Sequence, residues 1–148
     1  MSQYTTLKAA LIVDIKAAWS GVTVAFGRPL LPFTSMPRAV VTLGKVTYRK
    51  SGMRSMDKTW PFQIAASFEL TDVVGAAELE PVQISKIELF IAQFLPETDD
   101  GTVPTAAGAY AGITNRFLIT GFEAVEPGPE DEAYVVTIDL EIVTEVHV

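Results

Sequence analysis

An α+β domain is the fold class this sequence predicts: an antiparallel or mixed sheet built from two hairpins, with two helices packed on it. Three observations predict it. Apolar residues fall at every second position in 38–50, 59–70 and 133–146, the period of a half-buried strand, and 116–125 reads as a further strand. In 5–19 and 82–95 they recur instead at spacings of three and four, the period of a helix face. The alternating segments come in adjacent pairs rather than one strand per helix, which argues against a wound parallel fold. With 148 residues, the chain reads as one domain, 1–148, because domains run to ~100–200 residues.

The first helix, TTLKAALIVDIKAAW, places Leu7, Ala10, Leu11, Ile15, Ala18 and Trp19 on one face. Thr5 or Thr6 is the expected cap, and Ser20-Gly21 the expected stop. Val22–Phe26 is a short strand. The segment 27–37, GRPLLPFTSMP, holds three prolines and no regular period, so it reads as a connecting loop. In 38–50, Val40, Thr42, Val46 and Tyr48 fall on one face, with Val41, Leu43, Lys45, Thr47 and Arg49 on the other. In 59–70, Phe62, Ile64, Ala66, Phe68 and Leu70 share a face. Between these strands, SGMRSMDK, residues 51–58, reads as the polar tip of a long hairpin. It is longer than the 2–5 residues usual for such a loop.

The second helix, VQISKIELFIAQFL, has Ile84, Ile87, Phe90, Ile91, Phe94 and Leu95 as its core face, bracketed by Pro81 and Pro96. Residues 97–115 are rich in Ala and Gly without a period and read as a long loop. The second hairpin pairs RFLITGFEAV, 116–125, with 133–146 across the acidic, Pro-containing turn EPGPEDE, 126–132. On the last strand Tyr134, Val136, Ile138, Leu140, Ile142 and Val146 face one way, and Asp139, Glu141 and Glu145 the other.

Composition removes whole classes of chemistry. There is no cysteine, hence no disulfide, thiolate metal site, thiol nucleophile or iron–sulfur cluster. The single histidine, His147, is the penultimate residue, a poor position for a catalytic base. No GxSxG, GxxxxGK[ST] or GxGxxG occurs. The adjacent acids Asp99-Asp100 and Glu130-Asp131-Glu132 lack the alternating oxygen ligands of a calcium loop and read as solvated turns. Trp19 and Trp60 read as core. No catalytic residue, cofactor or metal is expected. The segment from Leu7 to Trp19 is broken by Lys8, Asp14 and Lys16, unlike a secretory signal. No apolar run is long enough to span a membrane. The expectation is a chain that stays in the cytoplasm or joins an assembly formed there.

Charged residues are only 20% and hydrophobic residues 49%, where ~25% charged is usual. So apolar an exterior suggests surface covered by other chains. Charge is also unevenly placed. Residues 28–58 carry seven cations against Asp57, net +6, whereas 59–148 carry Lys86 and Arg116 against 16 acids, net −14. The basic stretch suits a solvated loop, contact with an acidic surface of another subunit, or nucleic acid. A sequence pI of about 4.6 weighs against nucleic acid, whose binding domains usually exceed pI ~9. The candidate interface set is Lys45, Arg49, Lys50, Met53, Arg54, Met56 and Lys58, with the methionines as adaptable apolar contacts among the cations.

The layout as a whole resembles the tail terminator (tail completion) proteins of long-tailed bacteriophages. The helix LKAALIVDIKAAW is followed by a short strand and GRPLLPFTSMP. Strand pairs around a basic tip come next, then ISKIELFIAQFL and the closing strand YVVTIDLEIVTEV. The match is one of element order and texture over nearly the whole chain, with no diagnostic motif. Tail tube and neck proteins share parts of it. The resemblance implies a non-enzymatic ring, usually of six copies, at the head-proximal end of a virion tail. Its partners would be copies of itself, the tail tube protein and the head–tail connector, with no specific nucleic acid and no membrane. Two other classes stay open: a small ligand-binding or hydrolase domain with 104–114 over a pocket, and a nucleic-acid contact protein using the basic tip.

Overall fold

In a computed structural model of the chain, residues 2–27, 36–70, 78–92, 116–127 and 132–147 are described. Their element order is α1 (Gln3–Ala18), β1 (Thr23–Phe26), β2 (Arg38–Leu43), β3 (Thr47–Lys50), β4 (Ser55–Glu69), α2 (Glu80–Ile91), β5 (Arg116–Val125) and β6 (Ala133–His147). This is an α+β fold. The segments 28–35, 71–77, 93–115 and 128–131 lie outside the described residues, and so do the sequence expectations that fall on them, including Phe94, Leu95 and both acid clusters except Glu132.

Helix α1 begins earlier than its threonines suggest. Ser2 is the cap: its Oγ accepts the Thr5 amide at 3.2 Å, filling one of the donors a helix start leaves open. The helix closes with the Trp19 amide on the Ile15 carbonyl at 3.0 Å. Gly21 then turns the chain at φ 78°, a conformation glycine adopts without steric cost. Leu7, Ala10, Leu11 and Ile15 are buried as the spacing predicts, and Asp14 is buried with them. In α2, Ile87 and Phe90 are buried, together with the polar Gln83.

Among the described residues the sheet has six strands in the order β1-β2-β4-β6-β5, with β3 also paired to β4. β4 and β6 form its spine, paired antiparallel from Ser55↔His147 to Glu69↔Ala133. β5 pairs antiparallel with β6, with a register shift between Ile119 and Gly121. β1 pairs parallel with β2, so the sheet is mixed. The 27–37 connection far exceeds a hairpin turn, as a parallel return requires.

Two sequence expectations need correction. The segment 38–50 is not one strand: it breaks at 44–46 into β2 and β3. From Leu43 to Thr47 is four steps, while their partners Phe62 and Thr59 are three apart. That extra residue flips the side-chain parity, as a bulge does. Val41 of β2 and Tyr48 of β3 therefore share a face, although the sequence pattern separates them. At the break the Gly44 amide donates to the Pro61 carbonyl at 2.8 Å, and a Cβ on Gly44 would sit 3.3 Å from Pro61 Cγ. The second correction concerns the tip. Residues 55–58 are strand, so the tip is only 51–54.

One face of the sheet carries the core. Ala39 and Val41, then Trp60, Phe62, Ile64, Ala66 and Phe68, then Tyr134 to Ile142 at even positions, are buried against Leu7, Leu11 and Ile15 of α1 and Ile87 and Phe90 of α2. Trp19 locks the helices together. Its ring stacks on Phe90 with centroids 5.5 Å apart and meets Phe68 edge-on at 5.6 Å. Its indole N–H donates to the Lys86 carbonyl at 2.9 Å, satisfying the polar end of a buried ring. Among the described residues no element covers the opposite face. No helix among them is long and apolar enough to cross a membrane.

Candidate functional site

Six of the seven residues in the interface set predicted from sequence lie on one arm, and Lys45 lies in the break just before it. β3 and the first third of β4 form a hairpin, and the end of β6 runs along its other side. All four residues of β3 are exposed, so this part of the sheet stands clear of the helices. The tip is closed by the Ser51 and Gly52 amides on the Ser55 carbonyl at 3.1 and 3.3 Å, and by a Ser51–Ser55 hydroxyl pair at 3.1 Å. Met53 projects from it with 96% of its surface exposed.

The seven residues are not equivalent. Lys45, Arg49, Lys50, Met53 and Arg54 are exposed, while Met56 and Lys58 are half-buried. Arg49 lies opposite Asp57, which lies opposite Glu145 on the next strand. This row runs cation, acid, acid: the Arg49–Asp57 pair is mutually favourable, whereas Asp57 and Glu145 are like charges facing each other. It occupies the face away from the helices. Lys50, Met56 and Val146 form a row on the other face.

Lys58 points inward. Its Nζ lies 4.1 Å from the centroid of Trp60 and 5.4 Å from that of Tyr48, a cation held between two aromatic faces. Sequence showed its charge but not its setting. That Lys58 and Trp60 share a face follows from their spacing of two. That Tyr48 joins them does not, because it depends on the break at 44–46.

The arm is rooted by contacts the sequence did not announce. The Trp60 indole N–H donates to Thr144 Oγ1 at 3.1 Å, and the Thr144 hydroxyl donates to Gln3 Oε1 at 3.3 Å. Tyr4 stacks on Trp60 with centroids 6.3 Å apart. The start of α1 thus buttresses the base of the arm. At the far end of the sheet, buried Gln83 donates through Nε2 to the carbonyls of Val125 at 2.8 Å and Val135 at 3.1 Å.

Both tryptophans are built into the core, Trp19 at 3% and Trp60 at 5% exposure. His147 ends β6 opposite Ser55. Among the described residues no three His, Asp or Glu side chains gather as a metal would require. Shallow hollows among the described residues include these two. One follows α2 along Val82, Ser85, Lys86 and Leu89. The other lies on the sheet, around Thr42, Pro61, Gln63, Thr120, Asp139 and Glu141.

No family model matches this chain, and no curated protein matches it. Solved structures do match. One covers 100% of this chain and 99% of its own, at 20% identity and a TM-score of 0.49, and carries a name that states no activity.

Proposed function

We propose that this chain is a structural subunit whose copies close into a ring. In the reading the resemblance supports, that ring caps a phage tail tube, ends its polymerisation and offers a surface to the head connector. The observation that carries this is the arm: a paired, buttressed extension of the sheet that ends in a fully exposed methionine among exposed cations. Solvent alone gives no reason to hold Met53 out on a rigid support, whereas a methionine beside arginine suits the core of a protein contact. The positive segment and the acidic remainder give each subunit two unlike patches, which is what a head-to-tail ring needs.

Light scattering and negative-stain imaging of the purified protein test this, alone and with tail tube protein added. A closed annulus, free or seated on tube ends, is the expected result. A monomer in both conditions, leaving tube length uncapped, overturns the proposal. Reversing Arg49 and Arg54 to Glu is expected to abolish assembly while the monomer stays folded by circular dichroism, since both side chains are exposed.

A further inference from the structure

The geometry points to the surface that receives the arm: the sheet face that no element among the described residues covers, in a second copy of this chain, at the hollow between Gln63, Asp139 and Glu141. This rests on the ring reading above and names the contact that would build it.

The face is acidic where the arm is basic. Its exposed or half-exposed charges over β5 and the middle of β6 include Glu123, Asp139 and Glu141. Asp139 is already oriented: Gln63 Nε2 donates to its Oδ1 at 3.0 Å. Across β6, the register shift sets Gly121 opposite Asp139, and a Cβ on Gly121 would lie 4.0 Å from Asp139 Oδ2. The β5 side of the aspartate is therefore left open. Thr42, Pro61 and Thr120 complete a hollow that is part polar and part apolar. An arginine–methionine tip matches both halves: Arg54 for the carboxylates, Met53 for the proline and threonine methyl surface.

The arm cannot reach this hollow in its own molecule. Ser55 and Gln63 lie on the same continuous strand, eight steps apart, roughly 26 Å at ~3.3 Å per residue. Folding back would break the β4–β6 ladder, which is paired along its whole length. Only another copy can present its hollow to the tip. The two surfaces differ, so the contact is heterologous and propagates head to tail until the rotation closes.

The absence of cysteine makes a clean trapping experiment possible. Met53→Cys protein is mixed with Thr120→Cys protein under mild oxidation, and in parallel with Ser85→Cys protein, whose thiol lies on the exposed side of α2. All three positions are exposed, so the fold is not at risk. The Met53–Thr120 pair is expected to form mixed disulfide at least about tenfold faster than the Met53–Ser85 pair. A chain carrying both Met53→Cys and Thr120→Cys is expected to give a ladder of multimers rather than an internal bridge. Equal trapping of the two pairs overturns the inference.

A charge exchange separates this failure from failure of the ring itself. Arg54→Glu and Asp139→Lys/Glu141→Lys are each expected to weaken association about tenfold or more near 0.15 M salt, and a mixture of the two to restore it. If Arg54→Glu dissolves the ring while the acid reversals leave it intact, the arm binds elsewhere: the inference falls and the ring reading stands. If wild-type protein forms neither annulus nor trapped pair with or without tube protein, both fall.

Discussion

Thr144→Val tests how the arm is rooted. The substitution keeps the shape of a fully buried side chain and removes its hydroxyl. The Trp60 indole N–H, 3.1 Å from that hydroxyl, then has no acceptor inside a site where Trp60 is only 5% exposed. An unpartnered buried donor costs ~1–3 kcal/mol. Thr144→Ser keeps the hydroxyl and loses one methyl, worth ~0.8 kcal/mol of burial. Valine should therefore destabilise more than serine, although it is the better match in volume. Urea unfolding followed by tryptophan fluorescence reads both, with the slope checked for constancy. In a chain of this length ~1 kcal/mol corresponds to about 2–4 °C in Tm. The cycle closes with Trp60→Phe, which deletes the donor. In that background Thr144→Val should lose most of its effect. Equal costs for valine and serine, or a valine cost unchanged by Trp60→Phe, would refute the hydrogen bond as the source.

The other predictions concern separate regions. Gln83→Leu removes the donor serving the Val125 and Val135 carbonyls and should cost ~1–3 kcal/mol in the same urea assay. Lys58→Met keeps much of the aliphatic stem but removes the cation over Trp60, so stability should fall by ~0.5–2 kcal/mol, with a change in tryptophan emission; assembly should suffer far less than in Arg49→Glu/Arg54→Glu. If Lys58→Met instead abolishes assembly in a stably folded protein, Lys58 belongs to the contact rather than to the arm's own support.

Much of this architecture is legible in the sequence because burial imposes period. The even positions of β6, from Tyr134 to Ile142, and the Leu7–Leu11–Ile15 face of α1 are visible as patterns because each faces one continuous core. Features that depend on a partner strand are not. The break at 44–46 leaves the alternation of 38–50 intact to the eye. Its extra residue has meaning only against β4, where three steps answer four. The sides of Tyr48 and Lys58 follow from that register. Asp14 and Gln83 are a different case. Their spacings place them on buried helix faces, three residues from Leu11 and four from Ile87, but polarity argues the reverse. Gln83 is tolerated there because two strand-end carbonyls face it. The interface set was identified from charge and methionine content, and charge alone could not separate Lys58 from the cations that remain outside.

The arm and the core share two strands, and that sharing bears on how an assembly contact would work. β4 and β6 each run 15 residues, and each spends its middle in the helix-covered core and one end in the arm. A tip carried on a flexible loop would lose conformational freedom on every docking event, about 0.5–1.5 kcal/mol for each immobilised long side chain and more for the backbone. Here the backbone is already fixed by a ladder from Glu69↔Ala133 to Ser55↔His147, and its base is held by Trp60, Thr144 and Tyr4. The ordering cost left at the proposed docking would fall mainly on Met53, Arg54 and their neighbours. Rigid support also fixes the direction of the tip relative to the acidic face of the same molecule. In a head-to-tail contact that fixed angle determines whether successive copies close on themselves or continue as a filament. The long paired strands that look unremarkable as core elements are therefore what would convert a pair of complementary patches into a ring of defined size.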